Sequence, residues 1–136
     1  MDRADLHTLA SIRLLEAKAL LAAGLPDGAY YLAGYAIECA LKACIAKATA
    51  VYDFPPPPQV VSSMYTHDLL KLIGLAGLDQ NLKRQKGTPL DINVALVANW
   101  SERSRYLRIT SQEAQDLITA IEHPQDGVLQ WVQQAW

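Results

Sequence analysis

The densest chemistry in this sequence lies at Trp100-Ser101-Glu102-Arg103-Ser104-Arg105-Tyr106-Leu107-Arg108. On one continuing helix Arg103 and Tyr106 would be neighbours, as would Glu102 and Tyr106, while Arg105 would pair with Arg108. Guanidiniums beside an aromatic ring can clamp a phosphate through charge-assisted hydrogen bonds and stack a base, the chemistry of nucleotide or RNA contact. Arg103, Arg105 and Tyr106 are therefore the first candidate binding residues. The ordinary alternative is a helix C-terminus whose cations favour the helix dipole.

A second stripe is Tyr31, Tyr35, Glu38 and Lys42, at helical steps through an otherwise apolar segment. Glu38 and Lys42 stand one turn apart and can pair on a solvated strip, worth about 0.2–0.5 kcal/mol. If that face is buried, an unpaired carboxylate is expensive, so a cation is expected to hold Glu38. Lys42 is one candidate. Arg13 is the other, because helical projection places it inside the apolar stripe of the preceding helix; the alternative has Arg13 at the stripe's edge, snorkelling to water. The three histidines, His7, His67 and His123, are scattered. His67 opens a short helix with Asp68, and together with Lys42 it is a further candidate to face the same groove as the arginines.

Several function classes are excluded by absent patterns. There is no phosphate-cradling glycine loop, no nucleophile elbow around a serine, and no Glu-x-x-His pair of the kind that builds metal sites in bundles. Cys39 and Cys44 fall about 140° apart around one helix, so they neither pair nor share a metal, and buried reduced thiols are expected. No cofactor and no metal are implied. The net charge of −2 argues against a general nucleic-acid binder. The charge is uneven, however: Lys83, Arg84, Lys86, Arg103, Arg105 and Arg108 face only Asp91 and Glu102 between residues 83 and 108. The start, Met1-Asp2-Arg3-Ala4-Asp5, does not resemble a secretory signal, and the longest charge-free stretch holds four prolines and is no membrane helix. A cytoplasmic protein is expected.

These side chains need helices to position them. Ala and Leu supply 20 residues each of the 136, which favours one all-α domain spanning residues 1–136. The first helix should start near Asp2 or Asp5 and stop at Gly24, and Pro26 should open a second, central helix running to about Val51. Residues 52 to 66 read as irregular, with Pro55 to Pro58 favouring polyproline II. Thr66 can cap a short helix carrying Leu69, Leu72 and Ile73, and Asp79 to Lys86 can add a polar turn or two. Thr88, Pro89 and Asp91 open a helix expected to reach Trp100 and on to Tyr106; Thr110 and Glu113 form a capping box for the next, with a kink or restart at Pro124 to Gly127.

The string Gly28-Ala29-Tyr30-Tyr31-Leu32-Ala33-Gly34-Tyr35-Ala36-Ile37-Glu38-Cys39-Ala40-Leu41-Lys42-Ala43, then Thr66-His67-Asp68-Leu69, then Ser104-Arg105-Tyr106, resembles the HEPN family, the higher eukaryote and prokaryote nucleotide-binding domain. The order matches over nearly the whole chain and includes a Trp-Val step at Trp131 and Val132; it departs in the proline-rich loop and at His123-Pro124. The resemblance implies an up-and-down bundle of four to five helices that forms a homodimer. Members act as ribonuclease toxins, as nucleotide-binding partners of minimal nucleotidyltransferases in toxin-antitoxin-type pairs, or as interaction modules.

Ribonuclease members carry Arg, then four to six residues, then His on a late helix. No arginine here has a histidine at that spacing. RNA cleavage by 2′-hydroxyl attack needs a proton-moving group as well as a cation, so the missing histidine leaves the first role unfilled. The leading expectation is a nucleotide- or RNA-binding domain with a nucleotidyltransferase partner. The alternatives are a metal-independent ribonuclease using a non-standard histidine such as His67, and a purely protein-interaction helical module.

Overall fold

The computed structural model describes residues 1–49 and 58–136, and the polyproline expectation, Pro58 apart, lies outside them. The described residues form an all-α bundle without strands. Helix α1 (Arg3–Ala22) begins at Asp2, whose side chain accepts from the backbone N–H of Asp5 while Asp5 returns the bond to the N–H of Asp2. It ends before Gly24, at φ +79°, a left-handed conformation that glycine adopts without a Cβ clash.

Helix α2 (Pro26–Thr49) is the axis of the fold. Twelve of its residues are buried, and it packs against α1 along one side. Such an all-round apolar helix is stable only when neighbours cover several of its faces. Those neighbours are α4 (Leu69–Leu75) and, later in the chain, α7 (Ser111–Glu122) and α8 (Val128–Gln133). Ile37 and Leu41 of α2 meet Leu69 and Leu72 of α4, Leu117, Ile118 and Ile121 of α7, and Val128 and Val132 of α8 in one core.

Between α2 and α7 the chain is cut into short pieces. Helix α3 (Pro58–Ser63) occupies part of the stretch read as irregular; Pro58 takes its first position, where the missing N–H costs nothing. The cap of α4 is Asp68, whose side chain accepts from the N–H of Lys71. Thr66, the expected cap, instead accepts from the N–H of Asp68. After α5 (Asp79–Arg84), helix α6 (Pro89–Ala98) opens with Thr88 accepting from Asp91 N–H, as its sequence implies. The short helices α3, α5 and α8 bring the described α-helices to eight, against the four to five expected.

Helix α6 stops at Ala98 and a 3-10 helix (Glu102–Tyr106) follows, so the continuous helix expected through Tyr106 does not form. The cause is tertiary. Trp100 is 2% exposed and fits against Gly34 of α2, which draws the chain inward and out of the helical path. Helix α7 has the expected reciprocal box between Thr110 and Glu113, and the restart comes as expected, with α7 ending at Glu122 and α8 beginning at Val128. Among the described residues no helix is long and apolar enough to cross a membrane.

Candidate functional site

The site begins with Glu38, one of two buried polar residues identified within the core and the only charged one among the described residues. Both carboxylate oxygens have partners. Oε2 lies 3.4 Å from Lys42 Nζ one turn along α2, and Oε1 lies 2.8 Å from His67 Nδ1. Arg13, the other expected cation, instead pairs with Glu16 on its own helix, at the i, i+3 spacing that needs no long-range packing. Glu38 is therefore held by Lys42 and by a histidine from the loop before α4.

A carboxylate only accepts, so His67 Nδ1 carries the proton of that bond. This fixes the ring and leaves Nε2 as the nitrogen that can take or give a proton elsewhere, the orientation that carboxylate–histidine pairs supply in acid–base sites. Nε2 lies 3.9 Å from Glu102 Oε2, too far for a hydrogen bond. The His67 side chain is 48% exposed, so it stands half in solvent.

A groove of about 440 Å³ runs past it, with Thr66, His67 and Asp68 on one wall and Asn99, Ser101 and Glu102 on the other. Trp100 also lines it, and both the indole Nε1 of Trp100 and the hydroxyl of Ser104 are buried without a partner. The groove's charged lining groups other than His67 are the carboxylates Asp68 and Glu102. A phosphate is repelled there. It is better placed outside, along the 3-10 helix.

That helix carries the arginines. With three residues per turn, Arg103 and Tyr106 are eclipsed, so they share a face although the α-helix expected to pair them is absent. Tyr106 is 76% exposed, and the Arg105 guanidinium stands over its ring at 4.9 Å from the centroid. Contact with Tyr106, and more weakly with Tyr31, pushes the Arg105 pKa further up. Tyr31 in turn lies 6.0 Å from Trp100 and 6.2 Å from Tyr35, centroid to centroid, which joins the tyrosine stripe to the groove. Arg108 does not pair with Arg105: its Nε lies 3.0 Å from Asp27 Oδ2, while Asp27 Oδ1 accepts from Ile109 N–H at 2.6 Å.

Of the expected site residues, Lys42, His67 and Glu38 thus form one connected group, Arg105 and Tyr106 a second, and Arg103 shares the 3-10 helix with the second. Glu102 joins the two, since it faces His67 and begins the 3-10 helix. Sequence reasoning placed it in the cluster without a role. The tie of Asp27 to residue 109 crosses most of the chain, which no local signal shows. Among the described residues no group of three or more histidine, cysteine or acidic side chains is arranged to hold a metal ion. No protein-family model, curated protein or solved structure matches this chain.

Proposed function

We propose that this chain is a HEPN-like domain that binds a nucleotide or single-stranded RNA across its 3-10 helix. The exposed Arg105–Tyr106 stack beside the Glu38–His67 pair carries this reading. Tyr106 offers a base a free ring face, and Arg103 and Arg105 offer a phosphate two guanidiniums outside the acidic groove. The groove itself, with an imidazole, two hydroxyls and an amide among its lining residues, suits the sugar of the same nucleotide. A nucleotidyltransferase partner and a homodimer belong to this proposal through the sequence resemblance.

A second reading rests on His67 Nε2. A histidine oriented by a buried carboxylate can remove the proton of a ribose 2′-hydroxyl, and this is the role that the missing late-helix histidine leaves open. Cleavage of RNA would then depend on His67 and need no metal.

The test is a titration of adenine and uridine nucleotides and a short single-stranded RNA at low and physiological salt. Binding through phosphate weakens as salt rises. The double variant Arg105→Ala with Tyr106→Ala should lose about tenfold to a hundredfold in affinity with helix content unchanged. Equal binding by the variant would place the site elsewhere. RNA cleavage by the wild type, lost in His67→Ala while binding persists, would favour the second reading.

A further inference from the structure

Away from the groove, α5, the start of α6, α8 and the turn before α8 line a half-open cavity of about 200 Å³. Five residues with carboxamide side chains line it, Asn81, Gln85, Gln125, Gln130 and Gln134, with one acidic residue, Asp126. Among the described residues no lysine, arginine or histidine contributes to the wall. Each carboxamide presents two donors and an acceptor oxygen without charge. We propose that this cavity binds a neutral polyhydroxylated ring of pentose or hexose size, as a free sugar or as the ribose of a nucleoside.

Each alternative ligand class meets an obstacle. An anion would face Asp126 with no cation to offset it. A cation would have only that single carboxylate. A planar base needs a free aromatic face, and Trp131, the one aromatic in the wall, is 5% exposed. The volume lies below the roughly 300 Å³ at which sites for larger ligands begin, so it admits one ring and not a whole nucleotide. Hydroxyls suit carboxamides because each donates and accepts at once, and Asp126 can accept from a hydroxyl pair.

Part of the wall is also fixed before any ligand arrives. Trp131 Nε1–H donates to Asn81 Oδ1 at 2.8 Å, which sets the amide's orientation and leaves its NH₂ group to face elsewhere. The turn bearing Gln125 and Asp126 is held by the His123 ring, whose Nδ1 accepts from both of their backbone N–H groups at 3.2 and 3.0 Å. Asn93 Nδ2–H donates to the Asp126 carbonyl at 2.8 Å. At Gly127 a Cβ would come within 2.5 Å of the His123 carbonyl oxygen, so this close turn requires glycine there. The tied Asn81 amide and the tied turn reduce the ordering cost of binding.

The experiment is a two-dimensional amide NMR titration with D-ribose, D-glucose, uridine and, separately, inorganic phosphate. The proposal expects saturable shifts of the side-chain NH₂ signals of Gln85 and Gln130 and of the Trp131 indole N–H with a sugar. Shifts with ribose and uridine but not glucose would identify the ribose of a nucleoside as the source; shifts with glucose would identify a free sugar. In Gln130→Leu, an exposed position, affinity should fall about tenfold, the effect of one or two lost neutral hydrogen bonds. An unchanged indole signal in the ligand-free variant confirms that the wall is intact. Sugar shifts that stay linear, shifts that are equal in the variant, or a response to phosphate alone would overturn the proposal.

Discussion

Trp100 rests on the backbone of Gly34, so closely that a Cβ at position 34 would lie 2.3 Å from three of the indole's ring atoms. No flexible end of a side chain can yield there; the indole as a whole must move. Gly34→Ala should therefore destabilise the fold by about 1–3 kcal/mol through overpacking, despite alanine's better helix propensity. The shift in the urea midpoint measures this. Because Trp100 leads directly into the 3-10 helix, the same variant should also weaken nucleotide binding; an unchanged midpoint would mean that the close fit is not what ends α6.

How much of this was legible depended on range. The caps at Asp2, Thr88 and Thr110 and the left-handed Gly24 follow from neighbours within a few residues, and the structure has all of them. Lys42 as a partner of Glu38 was likewise visible at one helical turn. His67 completes that pair from 29 residues away, and the sequence could place it only near the same groove. Arg13 was open between a long-range pairing with Glu38 and an edge position reaching water, and Glu16, three residues on, takes it locally. The end of α6 was missed because its residues favour helix and only the notch at Gly34 overrides them. The carboxamide cavity had no signature at all, since its walls come from three separated segments.

Glu38 tests the buried pair. Glu38→Ala removes both hydrogen bonds and leaves a cavity in the core, at a cost of about 3 kcal/mol. Lys42→Ala leaves His67 to satisfy one oxygen and should cost about 1 kcal/mol. Chemical denaturation of both variants ranks them. Equal losses would mean that Lys42, and not His67, is the partner that matters.

The two thiols should be inert. Burial pushes Cys39 and Cys44 up to about 11 each, so almost no thiolate exists near neutral pH. A thiol reagent added to the native protein at about pH 7.5 should titrate neither cysteine within minutes and both after unfolding in guanidinium. Rapid labelling of the native chain would show that α2 opens locally.

The last prediction concerns pH. The His7 ring stacks on Trp136 with centroids 4.0 Å apart, and its Nε2 is buried with no partner. Protonation would place a charge there without a hydrogen bond, so burial, followed by the positive charge of Arg3, lowers the pKa below its ordinary 6.5. The folded state thus binds this proton less tightly than the unfolded chain. Stability from this group is fully present above about pH 6.5 and is lost as pH falls below it, because the unfolded state then holds more protons. His7→Phe keeps an aromatic ring against Trp136 and removes the titration. Urea unfolding of both proteins at about pH 7.5 and about pH 5.5 should show the wild type losing more stability than the variant on acidification. The rest of the chain is the same in both proteins, so the comparison isolates His7; parallel losses would mean that its ring accepts a proton as readily folded as unfolded.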